Sequence, residues 1–339
     1  MAVKFLESFS LLPIGQLDKK WGEVDLTNGS VSLVRSRGGY GLKFFGTSLV
    51  TPDLGNNTTY IVGFGFQYSD IGTVTHNIMH FYDDAVAQVS LRIDPLTRFL
   101  IVNSGVDELA TGTTEISSDT SHYIEIKCVS DATTGFVEIR VNGVVDIYLT
   151  NQTTVQSGNA QINKIGFDGF GSSLFYILDD VYILNGDGSE NNDFLGDMRV
   201  EMVVVNHEGD SSDWEAVPSD PVATPNPDNW EEVKQVDPER VRTATLNAKD
   251  LYGLKRLKVA TENIAAVQIS IVGRNENSTT HTITPIIKSG GTEYNQTPIE
   301  FTDNALRVYS QVLDVSPMTG IAWTNSEFDN LQVGFKKSG

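Results

Sequence analysis

The sequence predicts an all-β protein, and three observations support this prediction. Apolar and polar side chains alternate with a period of two along most of the chain, as in strands with one buried face. Runs such as residues 60–68 are rich in β-branched and aromatic side chains. Clusters of Gly, Asn, Asp and Thr separate these runs, and no amphipathic helix pattern occurs before residue 200. This combination is typical of a sandwich or a jelly roll.

The clearest alternation in the chain predicts a strand whose two faces differ in polarity. Val89, Leu91 and Ile93 fall on one side, which we expect to be buried. Ser90 and Arg92 fall on the other side, which we expect to face outward.

The dipeptide Asn142-Gly143 predicts a tight hairpin, because a type I′ turn needs positive φ at both central residues. A strict two-residue turn would pair Val141 with Val144 and place Asp146 opposite an apolar residue. That register is poor, so the sequence predicts a β-bulge in this hairpin.

Composition excludes several classes of function. The chain has 339 residues, 40% of them hydrophobic, with a net charge of −20. Binding to nucleic acid or to an anionic membrane surface requires clustered Lys and Arg, so we expect neither partner. No apolar stretch is long enough to span a bilayer, and no charged segment followed by an apolar run predicts an export signal.

Cys128 is the single cysteine, which excludes an intramolecular disulfide and a cysteine-based zinc site. Alternation places it on the same strand face as Ile124 and Ile126, with Glu125 and Lys127 on the other face. We therefore expect a buried, unreactive thiol.

A change in composition after residue 205 predicts two domains. The first, residues 1–200, is the sandwich whose strands are described above. Residues 201–230 contain four prolines within ten positions and are interpreted as a Pro-rich linker. Alternation resumes afterwards, so residues 231–339 are expected to form a smaller β-sandwich used for assembly or attachment.

Several segments together resemble tailed-bacteriophage virion proteins that begin with a jelly roll like those of concanavalin A and laminin-G domains. The similar segments are Phe5-Leu-Glu-Ser-Phe9, Lys19-Lys-Trp21, Arg35-Ser-Arg-Gly-Gly-Tyr-Gly-Leu-Lys-Phe44, Asp179-Asp-Val-Tyr182, Asn192-Asp-Phe-Leu-Gly-Asp-Met-Arg-Val200 and Gly320-Ile-Ala-Trp-Thr324. Glu7 stands where the family usually has Asp.

The resemblance implies a virion structural protein: a head decoration or cement protein, a neck protein or a tail-fibre component. Its expected partners are other capsid, neck or tail proteins, and its expected location is the virion, assembled in the host cytoplasm. A symmetric homo-oligomer, with a trimer as the expected state, would repeat one interface around the particle. The alternative is a lectin-like adhesin of the phage tail that binds a host-surface glycan.

An acidic, glycine-rich loop near residue 185 offers hard oxygen ligands of the kind that Ca²⁺ prefers. The expected calcium ligands are Asp179, Asp180, Asn185, Asp187 and Asp193. No Glu follows at the spacing of an EF-hand, so tight turns stabilised by Asx hydrogen bonds are the alternative interpretation. Calcium is the single cofactor that the sequence points to.

Aromatic side chains are the candidates for glycan contacts, because an aromatic face can stack on a sugar ring. The expected contacts are Trp214, Tyr40 and Tyr82, of which Trp214 is expected in a loop. Trp21 and Tyr182 are expected in the core.

The sequence gives no motif for catalysis, and from this we expect that the protein is not an enzyme. Glu125 and Glu138 are single acidic residues predicted on solvent-facing sides of strands, not a carboxylate pair across a cleft. His76 and His80 lie four residues apart in a predicted strand, about 13 Å from each other, which is too far to share one metal ion.

Overall fold

The computed structural model describes residues 2–27, 29–37, 39–171, 174–217, 228–233, 240–257, 263–277 and 279–339. The chain divides into two compact units, Met1–Glu201 and Met202–Gly339. Strands dominate both units, which confirms the all-β prediction. None of the helices in the described part of the chain is long and apolar enough to cross a bilayer.

In the first unit, the residues that the structure describes form one 3-10 helix, Ile14–Lys19, together with strands and their connections. Its strands are β1 (Val3–Glu7), β2 (Glu23–Asp25), β3 (Ser30–Ser36), β4 (Gly39–Phe45), β5 (Ser48–Val50), β6 (Thr59–Tyr68), β7 (His76–Asp83), β8 (Val86–Ile93), β9 (Leu100–Ser104), β10 (Asp107–Thr111), β11 (His122–Val129), β12 (Gly135–Val141), β13 (Val144–Gln152), β14 (Lys164–Asp168) and β15 (Tyr176–Asn185).

These strands form two antiparallel sheets with one core. Sheet A has the order β13-β12-β11-β6-β15-β4-β3, and β1 also pairs with β15. Sheet B has the order β10-β9-β8-β7-β14-β5-β2. Phe64 and Ile126 from sheet A share one buried cluster with Val89, Leu91 and Phe167 from sheet B, so the apolar faces of the two sheets form the core of a sandwich.

The hairpin between β12 and β13 confirms both the predicted turn and the predicted bulge. Asn142 and Gly143 have φ values of 52° and 80°, as a type I′ turn requires. Val141 pairs with Val144, and a register shift follows before the next apolar pair. Asp146 is the extra residue of this bulge and accepts hydrogen bonds from the backbone N–H groups of Thr113 and Thr114, at 2.9 and 2.8 Å.

The described residues of the second unit are also mainly strands, with two short helices. The strands are β16 (Val205–Ser212), β17 (Glu215–Val217), β18 (Arg240–Arg242), β19 (Lys249–Leu254), β20 (Val267–Gly273), β21 (His281–Ser289), β22 (Thr292–Asn295), β23 (Ile299–Phe301), β24 (Arg307–Leu313) and β25 (Gln332–Lys337). The helices are α1 (Asn229–Val233) and α2 (Asn325–Phe328). The main sheet has the order β16-β19-β25-β21-β22, with β23 also paired to β21.

Part of the segment predicted as a linker is regular structure. Residues 205–212 form strand β16, which pairs with β19 inside the main sheet of the second unit. Residues 215–217 form β17, which pairs with β18. The four clustered prolines fall at 218–227, outside the residues that the structure describes.

Candidate functional site

The residues predicted to bind calcium are divided among separate interactions on and beside strand β15. Asp180 is buried; it accepts a hydrogen bond from Arg37 Nε at 2.9 Å and another from the backbone N–H of Val200 at 2.8 Å. A register shift in β15 between Asp179 and Tyr182 accompanies a left-handed φ of 48° at Asp180. This bulge directs the Asp180 carboxylate toward an arginine and a backbone donor.

The other four predicted calcium ligands have separate contacts. Asp179 is buried and accepts a hydrogen bond from the backbone N–H of Asp180 at 2.8 Å. Asn185 Nδ2 donates to Asp187 at 2.6 Å, and Asn57 Nδ2 donates to Asp187 at 3.0 Å. Asp193 pairs with Lys127 Nζ at 3.2 Å. In the part of the chain that the structure describes, no group of three or more His, Cys, Asp or Glu residues could hold a metal ion. Calcium binding by these five residues stays a prediction from the sequence.

Residues 193–200, termed the strap, lie across the outer face of sheet A, where two predictions are wrong. Glu125 was expected on a solvent-facing side, but it is 1% exposed and accepts hydrogen bonds from the Tyr182 hydroxyl and from Gly196 N–H of the strap. Glu138 is buried as well, and it accepts from Arg140 Nε at 2.7 Å. Alternation identified the outer face correctly, but it could not show that a distant segment covers it.

The three aromatic residues predicted to contact glycan lie in three different places. Tyr40 is exposed on β4 of sheet A, with the guanidinium of Arg35 at 5.4 Å from its ring centroid. Trp214 is not a free loop residue: its ring packs against Phe335 with 4.7 Å between centroids, and Trp214 Nε1 donates to the Ala248 carbonyl at 3.1 Å. Tyr82 lies on β7 of sheet B.

The predicted core residues are where the sequence placed them. Trp21 and Tyr182 are 2% and 1% exposed, and Cys128 is fully buried between the sheets. Trp21 packs edge-on against Phe5 and Phe167, with centroids 5.1 and 6.2 Å away.

The outer face of sheet B brings polar and aromatic side chains together near its centre. Met79 and Phe81 of β7 belong to the core cluster, so His80 and Tyr82 project from the opposite face. The Tyr82 ring lies over Gly166 of the adjacent strand β14, where a Cβ would come within 2.6 Å of a ring carbon. The His80 ring is next to it, with 5.4 Å between centroids. Tyr82 is half-buried, so part of it stays open to solvent.

His80 connects the three central strands of this face. Its Nδ1 lies 2.7 Å from Ser90 Oγ on β8, and its Nε2 lies 2.8 Å from Asp168 Oδ2 on β14. His80 and Ser90 are almost fully buried, whereas a third of the Asp168 side chain is exposed. Because 88 residues separate His80 from Asp168, no local spacing pattern could indicate the pair.

Two further side chains on this face have polar atoms without partners among the described residues. Asn103 lies directly opposite Ser90 in the ladder between β8 and β9, and its buried Oδ1 accepts no hydrogen bond. Arg92 lies two residues beyond Ser90 on β8, and its buried Nε donates none. Buried polar atoms without a partner are uncommon in folded proteins, which marks this part of the face as unusual.

The surroundings of Tyr82 change the pKa of its hydroxyl group. Burial, with smaller contributions from Asp168 and Glu23, raises the pKa of Tyr82 to about 12. Lys164, which pairs with Tyr82 in the ladder, lies 3.8 Å from Glu23. At neutral pH this end of the face thus presents a neutral phenol among charged groups that can donate or accept hydrogen bonds.

No protein-family model and no curated protein matches the sequence, but several solved structures match the fold. One is a sialidase, at 14% identity and a TM-score of 0.42, over 54% of this chain and 18% of the sialidase. A second is the alginate lyase Aly36B, at 9% identity and a TM-score of 0.38, over 55% of this chain and 96% of the lyase. A third is domain 4 of AbnA, a GH43 extracellular arabinanase from Geobacillus stearothermophilus in complex with arabinotriose, at 16% identity and a TM-score of 0.38, over 54% of this chain and 93% of that domain.

These matches correct one prediction and extend no function to the chain. The expectation that the protein is not an enzyme rested on missing motifs, and it is wrong as an exclusion, because solved structures that match the fold include a sialidase and alginate lyases. The chain spans less than a fifth of the sialidase. At these identities the similarity concerns the β-sandwich alone.

Proposed function

We propose that the first unit binds carbohydrate on the outer face of sheet B. The observation that carries this proposal is the Tyr82 ring, which lies over Gly166 beside the hydrogen-bonded His80–Asp168 pair. A sugar ring has an apolar face suited to an aromatic side chain, and its hydroxyl groups need donors and acceptors at the rim.

The surroundings of Tyr82 supply both kinds of contact. The partly exposed Asp168 carboxylate accepts hydrogen bonds, while Lys164, which pairs with Tyr82 in the ladder, donates them. Gly166 allows the Tyr82 ring to lie close to the sheet, since any larger residue would displace the ring. Outer-sheet contacts of this kind are held by rigid strands, which favours a preformed binding surface.

The sequence motifs support a place for this activity in a bacteriophage virion. The partners would then be capsid, neck or tail proteins, and the assembly a homo-oligomer such as a trimer. A decoration protein would be present in many copies per particle and a tail adhesin in few, so quantitative mass spectrometry of the virion distinguishes the two.

The substitution Tyr82→Ala tests the binding proposal. We expect the affinity for the best polysaccharide of a titrated panel to fall at least about tenfold, equivalent to ~1.4 kcal/mol. The matched control is Tyr148→Ala, which removes an exposed tyrosine from β13 of sheet A and should leave affinity unchanged. Isothermal titration calorimetry measures both; equal losses in the two variants, or no binding by the wild type, would contradict the proposal.

A further inference from the structure

We propose that Ser90, His80 and Asp168 hydrolyse small O-acyl esters, such as acetyl groups carried on sugar hydroxyls. Hydrolysis of the ester is inferred from the geometry of these three residues. That the acyl group is carried on a sugar rests on the proposed function.

The hydrogen bonds of His80 fix the direction of proton transfer. An ionised carboxylate only accepts hydrogen bonds, so the 2.8 Å contact with Asp168 places the ring proton on Nε2. Nδ1 is then unprotonated and accepts the Ser90 hydroxyl proton across 2.7 Å. A serine hydroxyl aimed at a basic imidazole nitrogen, with a carboxylate orienting the ring, is the arrangement that activates serine as a nucleophile.

Three adjacent strands hold these groups in place. His80 pairs directly with Ser90 in the β7–β8 ladder and with Gly166 in the β7–β14 ladder. Asp168 follows two residues after Gly166 on the same face of β14. The contacts therefore do not depend on a mobile loop, and the reacting geometry is preorganised.

Arg92, two residues after Ser90 on β8, has the donor that the oxygen of a tetrahedral intermediate needs, and Asn103 lies on the other side of Ser90. Asn103 is 4% exposed and lies directly across the ladder from Ser90, where side chains stand roughly 5 Å apart. The unsatisfied atom of Asn103 is its buried Oδ1, which is an acceptor and cannot donate to an oxyanion, so this role falls to Arg92, whose buried Nε–H has no acceptor among the described residues. A guanidinium beside the nucleophile stabilises the oxyanion in a site of low dielectric.

The reaction balances without a cofactor. Ser90 Oγ attacks the acyl carbonyl carbon while its proton passes to His80 Nδ1. The tetrahedral intermediate then breaks the bond to the alcohol oxygen, which takes the proton from Nδ1. Water attacks the Ser90 ester by the same route, releases the carboxylic acid and restores the hydroxyl.

Burial of the nucleophile limits the size of the acyl group. Ser90 and His80 are 8% and 7% exposed, so an acyl chain much longer than acetyl would meet the neighbouring side chains. The exposed part of Asp168 and the adjacent Tyr82 ring mark the side from which the alcohol portion would approach.

The full chain is tested with two reagents that contain no sugar. p-Nitrophenyl acetate should give a burst of about one nitrophenolate per protein, and a fluorophosphonate should add one label that peptide mapping places on Ser90. Ser90→Ala should lose both signals while it still unfolds in one cooperative transition, which shows that the loss is not due to misfolding. Ser310→Ala is the matched control, because its hydroxyl bonds Ser270 and no histidine, and it should keep both.

Asp168 acts as a positioning residue in this scheme. Asp168→Asn should lower the hydrolysis rate at least about 100-fold through the loss of the correct tautomer, and Asp168→Glu should recover part of it. Recovery by the longer carboxylate is a response that a merely structural role would not produce.

The outcomes separate this inference from the binding proposal. A wild type that binds polysaccharide but gives no burst and no label would overturn the esterase alone. A wild type that labels at Ser90 but binds no polysaccharide would overturn carbohydrate binding alone. A label mapped to any other residue, or an Ser90→Ala variant as active as the wild type, would also overturn the esterase.

Discussion

At the scale of single residues, the first unit buries several carboxylates. Glu7, Glu125 and Asp180 are at most 5% exposed in a chain of net charge −20. Each has a specific partner: Lys20 Nζ lies 3.0 Å from Glu7, Tyr182 donates to Glu125, and Arg37 pairs with Asp180. A buried charge is tolerated when it is paired and hydrogen-bonded, so each of these contacts fixes the position of a strand or of the strap.

The Arg37–Asp180 ion pair makes a prediction at this scale. Arg37→Met leaves the buried Asp180 carboxylate with the more exposed Arg199, at 3.4 Å, in place of the buried Arg37 at 2.9 Å, so we expect the free energy of unfolding to fall by about 3 kcal/mol. The control Arg98→Met breaks the exposed pair with Glu115, which should cost less than about 1 kcal/mol. Urea unfolding followed by tryptophan fluorescence compares them, and equal midpoints would refute the expectation.

At the scale of elements, the sequence predicted what depends on local pattern and missed what depends on distant contacts. The turn at Asn142 and the bulge at Asp146 follow from residues that are neighbours in the chain, and both are present. Glu125 was placed wrongly because the strap that covers it begins 68 residues later, and no pattern in β11 encodes that contact. The His80–Asp168 pair was missed for the same reason, because it depends on β14 lying next to β7 in the sheet.

Strand β15 makes a prediction about pH. Burial, and then repulsion from Asp180, raises the pKa of Asp179 to about 7, whereas in the unfolded chain it is near 3.8. The folded state therefore binds the proton more tightly, and its contribution is complete below about pH 4 and is lost as the pH rises through 7. In the wild type, the free energy of unfolding should fall by about 4 kcal/mol between pH 4 and pH 8 because of Asp179. The Asp179→Asn variant should not show this fall.

Urea unfolding of both proteins from pH 4 to pH 8 measures that difference. Comparison of the variant with the wild type removes the opposite contribution of His122, whose pKa is lowered by burial in both proteins. Parallel pH profiles would show that Asp179 does not titrate in this range.

At the scale of the whole molecule, the division into Met1–Glu201 and Met202–Gly339 makes a prediction about folding. The large core cluster, from Phe5 to Ile183, lies entirely within the first unit. A chain of about 200 residues buries enough surface to be stable alone. Residues 1–201 expressed without the rest should therefore show the circular dichroism of β-structure and one cooperative unfolding transition. A fragment that is unfolded in dilute buffer would contradict this independence.

The reactivity of Cys128 measures how often the sandwich opens. The thiol is fully enclosed, and burial raises its pKa well above the ordinary value, so a disulfide reagent cannot react with it in the closed fold. Because the chain has no second thiol, every modification event reports separation of β11 from its surroundings. The modification rate, measured over a range of denaturant concentrations, converts directly into the free energy of that separation without any engineered label.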